Sequence, residues 1–144
     1  MKSPNHVRVL YVEDDHDAYE MMETLLGFSE IDVVSASDIE NALDQTESGN
    51  FDLYLLDNRL PDGTGTDLCS RLRAGDPKTP IVFYSGDAGK TYMDSGLKAG
   101  ANAYLTKPNL DCLAETILRL VRENRVATDP FRCRTSLLYS PALY

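Results

Sequence analysis

Phe51-Asp-Leu-Tyr-Leu-Leu-Asp57-Asn-Arg-Leu-Pro61 decides the architecture. Residues 53–57 are apolar enough to be buried on both faces, the mark of a strand inside a parallel sheet with helices on either side. Asp57 ends that run and leads into a turn, so its carboxylate is held rigidly and still faces solvent.

The same rhythm extends outward in both directions. Residues 7–12 read as a first strand, and 16–28 as a helix with Tyr19, Met22, Leu25 and Leu26 on its apolar side. Residues 31–35 make a second strand. Ser37-Asp-Ile-Glu40 is a capping box opening a helix that runs to about Ser48 and stops at Gly49. A third helix covers 64–74, with Leu68 and Leu72 inward. The fourth strand is 80–85. The helix at 88–99 is weakened by Gly89 and Gly96, at about 1 kcal/mol each relative to alanine. Residues 103–105 form the fifth strand. The last helix, 110–125, has Asn109 as candidate cap and Leu113, Ile117, Leu120 and Val121 as its stripe. Strands alternating with helices in this way predict an α/β fold: a doubly wound, five-stranded parallel sheet with right-handed crossovers and five helices. Residues 1–126 form one domain. Residues 127–144, with Pro130, Pro141 and the apolar Phe131, Leu137, Leu138, Tyr139, Leu143 and Tyr144, break the pattern and read as a linker or partner-binding extension.

Composition narrows the function. Fourteen basic against 23 acidic residues give a net charge of −9, the wrong sign for direct nucleic acid binding and the right one for a divalent cation or a basic partner. Cys69, Cys112 and Cys133 are widely spaced with no CxxC pair, which argues against disulfides or zinc and for a reducing cytoplasm. Cys69 and Cys112 fall in helical patterns and read as packing residues. No apolar run nears the roughly 18 residues of a membrane span.

The chemistry gathers at strand ends. Glu13, Asp14 and Asp15 follow the first strand, Asp57 ends the third, Ser85 ends the fourth, and Tyr104 and Lys107 mark the fifth. Open parallel sheets bind ligands outside the carboxyl ends of their strands. Carboxylates gathered there repel unless a cation joins them. Oxygen-only donors favour Mg²⁺ (or Mn²⁺), which takes one or two carboxylates plus phosphate oxygens. With a lysine ammonium and a serine hydroxyl for the remaining oxygens, the set is complete for phosphorylating Asp57. His16, beside the acidic run, reads as an exposed start-of-helix residue, and His6 carries no signal.

Residues 7–125 resemble the receiver domain of bacterial two-component response regulators, through Val12-Glu13-Asp14-Asp15, Asp57-Asn-Arg-Leu-Pro61 to Gly65, Ser85-Gly86, Ala99-Gly-Ala101, Tyr104 and Lys107-Pro108. The resemblance implies a flavodoxin-like strand order 2-1-3-4-5 and Asp57 as phosphoacceptor, supplied by a sensor histidine kinase or a histidine phosphotransfer protein. It implies Asp14 as a direct metal ligand, Glu13 acting through water, and Arg59 contributing its backbone carbonyl. Asp15 lies one place beyond the usual acidic pair. Ser85 resembles the switch hydroxyl, Tyr104 the aromatic that turns inward with it, and Lys107 the phosphate-binding lysine, with a cis bond to Pro108. The implied output is a change on the face of the fourth helix, fifth strand and fifth helix, read by a protein target, an output domain outside this chain or a second copy.

Arg59 and Asp87, two residues after Asp57 and Ser85, are expected at the rim of the site, paired across its mouth. Two rival readings use the same sheet. A Mg²⁺-dependent phosphatase with an aspartyl nucleophile carries its acid–base aspartate two residues later, where Arg59 stands and cannot serve. A flavodoxin-like cofactor binder needs hydroxyls and amides in its first loop, where Glu13-Asp14-Asp15 would repel phosphate.

Overall fold

A computed structural model describes residues 6–128. Its strands are β1 (Val7–Val12), β2 (Ile31–Ala36), β3 (Leu53–Leu56), β4 (Arg59–Leu60), β5 (Gly63–Thr64), β6 (Ile81–Ser85) and β7 (Ala103–Thr106). Its helices are α1 (His16–Gly27), α2 (Ile39–Ser48), α3 (Gly65–Gly75), α4 (Lys90–Ala99) and α5 (Leu113–Thr128). One parallel sheet runs in the order β2-β1-β3-β6-β7, the expected 2-1-3-4-5 once the short antiparallel β4–β5 hairpin is set aside.

Alternation along the strands builds two cores. Val7, Val9 and Tyr11 of β1, Leu53 and Leu55 of β3, and Val82 and Tyr84 of β6 face α1 and α5, where Met22, Leu26, Leu113, Ile117 and Val121 meet them. The intervening residues, Leu10, Val12, Tyr54, Leu56, Ile81 and Phe83, face α2 and α3 and meet Ile39, Ala42, Leu68, Cys69 and Leu72. Period-two alternation with apolar residues at both phases is what a doubly covered sheet requires. Each fully buried leucine or isoleucine adds about 1.5–3 kcal/mol of transfer free energy.

Register then positions the strand ends. Val12 pairs with Ala36 on one side and Leu56 on the other, and the Asp57 N–H donates to the Val12 carbonyl at 3.1 Å. Glu13 and Asp57 therefore leave the sheet side by side. Ser85 pairs with Thr106, and the Lys107 N–H donates to the Ser85 carbonyl at 2.8 Å.

Local details differ from the sequence reading at several points. The cap of α2 is Asp38, not Ser37. Its carboxylate accepts from the Asn41 N–H at 2.7 Å, while Asp62 in the β4–β5 turn accepts from the Ile39 and Glu40 N–H groups at 2.9 and 3.2 Å. Of the donors that a Ser37–Glu40 box would have served, the Glu40 N–H goes to Asp62 and the Ser37 N–H to Asn41 Oδ1 at 3.4 Å, and the Ile39 and Glu40 N–H groups lower the Asp62 pKa. Asn109 does not cap α5. Turns closed by Asn109 N–H to Thr106 O and Leu110 N–H to Pro108 O delay the helix to Leu113. Cys112 is consequently exposed rather than packed, as is Leu25 on α1. Gly89 precedes α4 at φ +117 rather than weakening it from within. Gly96 lies inside, where a Cβ would come within 3.1 Å of Tyr104 and 3.2 Å of Phe83, so close packing and not looseness accounts for it. Helix α5 continues past the boundary expected at 126. The rest of the tail, with Cys133, lies outside the described residues. The Lys107–Pro108 bond is cis.

Gly65 is the tightest backbone approach. A Cβ there would lie 2.3 Å from the Asp57 carbonyl oxygen and 2.8 Å from Phe83. Gly65→Ala should destabilise the fold by about 2 kcal/mol or more, read as a lower urea midpoint. A midpoint equal to wild type would mean that α3 can draw back from β3 without loss.

Candidate functional site

Three carboxylates meet at the ends of β1 and β3. Glu13 and Asp57 are nearly buried, at 6% and 8% exposure, while Asp14 faces solvent. One oxygen from each lies within 4.8 Å of the others. The ammonium of Lys107 enters from the end of β7, 2.8 Å from Glu13 Oε2 and 3.5 Å from Asp57 Oδ2.

Glu13 is the most constrained member. The Tyr11 hydroxyl donates to its Oε2 at 3.3 Å and the Asp15 N–H to its Oε1 at 3.2 Å. Burial raises its pKa, Lys107 opposes that rise, and Asp57 adds to it. Burial disfavours the charge on Lys107, yet the Glu13 and Asp57 carboxylates outweigh it and hold the ammonium above its ordinary pKa. Tyr11 is pushed far above the ordinary phenol value by burial and then by Glu13 and Asp57, so its O–H remains a donor. Asp57 itself accepts from the Asn58 N–H at 2.7 Å. Three carboxylates against one ammonium leave uncompensated negative charge at an opening lined by oxygen donors. That is the donor set a hard divalent cation takes.

Asp15 points elsewhere. It caps α1, accepting from the Asp17 and Ala18 N–H groups at 3.0 and 3.4 Å. His16 is exposed and pairs with Glu20 at 3.1 Å.

The second half of the site lies above β6. Ser85 is buried, and its hydroxyl oxygen accepts from the Asp87 N–H at 3.1 Å. Tyr104, expected to turn inward on switching, lies inward. It is 8% exposed, stacked on Phe83 with ring centroids 5.3 Å apart, and its hydroxyl donates to the Asp87 carbonyl at 2.7 Å. The rim pair forms as the spacing predicts. Arg59 Nε lies 3.0 and 3.1 Å from the two carboxylate oxygens of Asp87, and Nη2 lies 2.9 Å from Oδ1. Arg59, first, and then Asn58 hold the Asp87 carboxyl below its ordinary pKa.

Two contributors escaped the sequence reading. Tyr11 stands two residues before Glu13 on a strand, so alternation puts both on one side. That signal was present but looked like core. Asn58 donates from Nδ2 to Asp87 at 3.0 Å, a contact between two loops that spacing alone does not reveal.

The family model of the response regulator receiver domain matches residues 9–118. The chain belongs to that family. Receiver domains are signalling modules, and the relatives are regulators. The chain is 37% identical over 117 residues to the response regulator protein PilR of Pseudomonas aeruginosa, covering 78% of this chain and 26% of that protein. It is 35% identical over 120 residues to the cell cycle response regulator CtrA of Brucella ovis, covering 83% and 52%. The receiver therefore spans about a quarter to a half of the length of the curated relatives it matches. Among solved structures, a CheY-like response regulator receiver domain protein from Methanospirillum hungatei superposes with a TM-score of 0.78 at 30% identity, covering 83% of this chain and 97% of that one. The Francisella response regulator 1452 receiver domain gives 0.77 at 28% identity, covering 82% and 98%. Among the described residues, no helix is long and apolar enough to cross a membrane.

Among the described residues, Lys107 supplies the ammonium that pairs with the Glu13 carboxylate. Lys107→Met should lower stability by about 1–3 kcal/mol, because removing one partner strands a buried acid. Combined with Glu13→Gln the loss should be well below the sum of the single losses. Additive losses in urea denaturation would show that the pair is not coupled.

Proposed function

We propose that this receiver is a phosphorylation switch in which Asp57 takes a phosphoryl group from the phosphohistidine of a sensor histidine kinase or a histidine phosphotransfer protein. The supporting observation is the Asp57 carboxylate, fixed at the end of β3 with Lys107 on one side and the Glu13–Asp14 pair on the other. A carboxylate oxygen attacks phosphorus, the P–N bond breaks toward the imidazole, and an acyl phosphate remains. Such transfer needs alignment and charge stabilisation more than covalent assistance.

Glu13, Asp14, Asp57 and the Arg59 backbone carbonyl would hold Mg²⁺ or Mn²⁺, and the donor set fits. Every donor is oxygen, and Asp14 leaves the cluster open to solvent. When bound, the cation neutralises the crowded carboxylates and the oxygens of the incoming group. Lys107 then gains a phosphoryl oxygen in place of one carboxylate contact. Ser85 can donate its hydroxyl proton to a phosphoryl oxygen while its oxygen still accepts from the Asp87 N–H, so a shift of Ser85 toward the phosphoryl group would draw the β6–α4 loop with it.

The readout is the face made by α4, β7 and α5. Met93 and Leu97, one turn apart on α4, are exposed apolar residues that would suit a protein target, an output domain or a second copy of the chain. Roughly two added negative charges favour one of two pre-existing arrangements of that face and shift their populations. Arg59 and Asp87, paired at the rim, shield the acyl phosphate from water.

Incubation with a small phosphodonor such as phosphoramidate and Mg²⁺ should label wild type stoichiometrically and leave Asp57→Asn unlabelled. Label persisting in that variant would remove Asp57 from the role. Arg59→Ala should shorten the lifetime of the acyl phosphate by roughly threefold, a barrier change of about 0.7 kcal/mol. An unchanged decay rate would dispose of the shielding role.

A further inference from the structure

The loop joining β6 to α4, residues 86–89, has two glycines and almost no packing. A Cβ on Gly86 or Gly89 would touch nothing within 4 Å. Of its four residues only Asp87 is not fully exposed. Such a segment has many conformations open to it unless a side chain anchors it.

Asp87 supplies that anchor, and all of its polar groups are engaged. Its N–H donates to Ser85 Oγ, and its carbonyl accepts from the Tyr104 hydroxyl. Its carboxylate accepts from Asn58 Nδ2 and, through both oxygens, from the Arg59 guanidinium. Asn58 and Arg59 follow Asp57 directly. One aspartate thus joins the loop beside the acceptor carboxylate to the hydroxyl of Ser85 and to Tyr104.

We propose that Asp87 is a positioning residue, clasped by Asn58 and Arg59 so that its backbone carbonyl holds Tyr104 inward, and α4 with it, through contacts that need no phosphoryl group. The link to α4 is steric. The Tyr104 ring lies where a Cβ on Gly96 would come within 3.1 Å, so ring and helix cannot move independently. The Asp87 side chain is only 10% exposed while that of Arg59 is 78% exposed. The ion pair alone is therefore weak. What matters is orientation: a bidentate guanidinium and an amide together fix the plane of the carboxylate and hence the backbone behind it.

This goes beyond the phosphoacceptor reading, because every contact of the clasp is made by groups of the chain itself. It alters the expected work of phosphorylation. The phosphoryl group stabilises an inward Tyr104 that the charged rim already supports, rather than creating it.

The test uses the full chain labelled with 3-fluorotyrosine, with the Tyr104 line among the eight tyrosines assigned by its loss in Tyr104→Phe. Without phosphate mimic, wild type should show Tyr104 with a small H₂O/D₂O isotope shift, as for a buried ring. In Asp87→Ala, and in Asn58→Ala/Arg59→Ala where Asp87 is retained, that line should move and its isotope shift should grow. The line of buried Tyr11 should stay in place, reporting an intact fold. A Tyr104 line unchanged in both variants, or solvent-exposed in wild type, overturns the proposal. Beryllofluoride with Mg²⁺ supplies the second arm, which rests on the phosphoacceptor reading. If the clasp keeps the competent arrangement populated and its loss lowers that population to about a tenth, the apparent dissociation constant for Asp87→Ala rises about tenfold. Wild type failing to respond to beryllofluoride would count against Asp57 as acceptor and leave the clasp to be decided by the fluorine spectra.

Discussion

The parallel register that sets Val12 level with both Ala36 and Leu56 is the constraint on which the rest depends. A slip of one residue would turn every apolar side chain of β1 to the opposite core. It would also carry Glu13 away from Asp57. Because both phases of β1 are apolar and both cores are closed by helices, the register is doubly specified. The acidic site is therefore a consequence of core packing. Its carboxylates repel one another, and they stay together because Leu10, Val12, Leu55 and Leu56 leave them nowhere else to go.

Lys107 makes that crowding tolerable. A nearly buried Glu13 is costly to ionise, and the pKa of Glu13 moves up accordingly. The ammonium at 2.8 Å and the hydroxyl of Tyr11 offset part of the cost. They do not balance three carboxylates. A structure that satisfies each polar atom and still carries excess negative charge holds the means to attract a cation, and it yields some stability to do so. No buried side-chain polar atom among the described residues lacks a partner. The imbalance is thus electrostatic and not a shortage of hydrogen bonds.

Much of this was legible in the amino-acid order, and the reasons differ by element. The strand from Leu53 to Leu56 announces itself because both faces are apolar, and its neighbours follow from spacing. The gathering of Glu13, Asp14, Asp57 and Lys107 follows from the rule that parallel strands deliver their carboxyl ends to one edge. What escaped depended on contacts between segments distant in sequence. Asp62 caps α2 across 23 residues, so the local Ser37–Glu40 box was the wrong place to look. Asn109 failed as a cap for a different, local reason: turns closed by its own N–H and that of Leu110 delay α5 to Leu113. Gly96 looked like a weak point in a helix, because nothing in the chain's order reveals that two aromatic rings press on it.

Gly96 also shows how the site reaches the surface. Phe83 lies beneath it, on the strand that ends in Ser85, and stacks on Tyr104 from the next strand. With less than a methyl group's worth of space between the rings and the helix, α4 has no room to press closer unless the tyrosine moves first. The tyrosine, in turn, is tied through its hydroxyl to the backbone of Asp87, whose side chain is held by the two residues that follow Asp57. Each joint in this chain is a direct contact, from carboxylate rim to loop to ring to helix. On the proposed function, a charge added at Asp57 would act where the first of those joints is anchored, and the weakly packed loop at 86–89 would be the part of the path to yield.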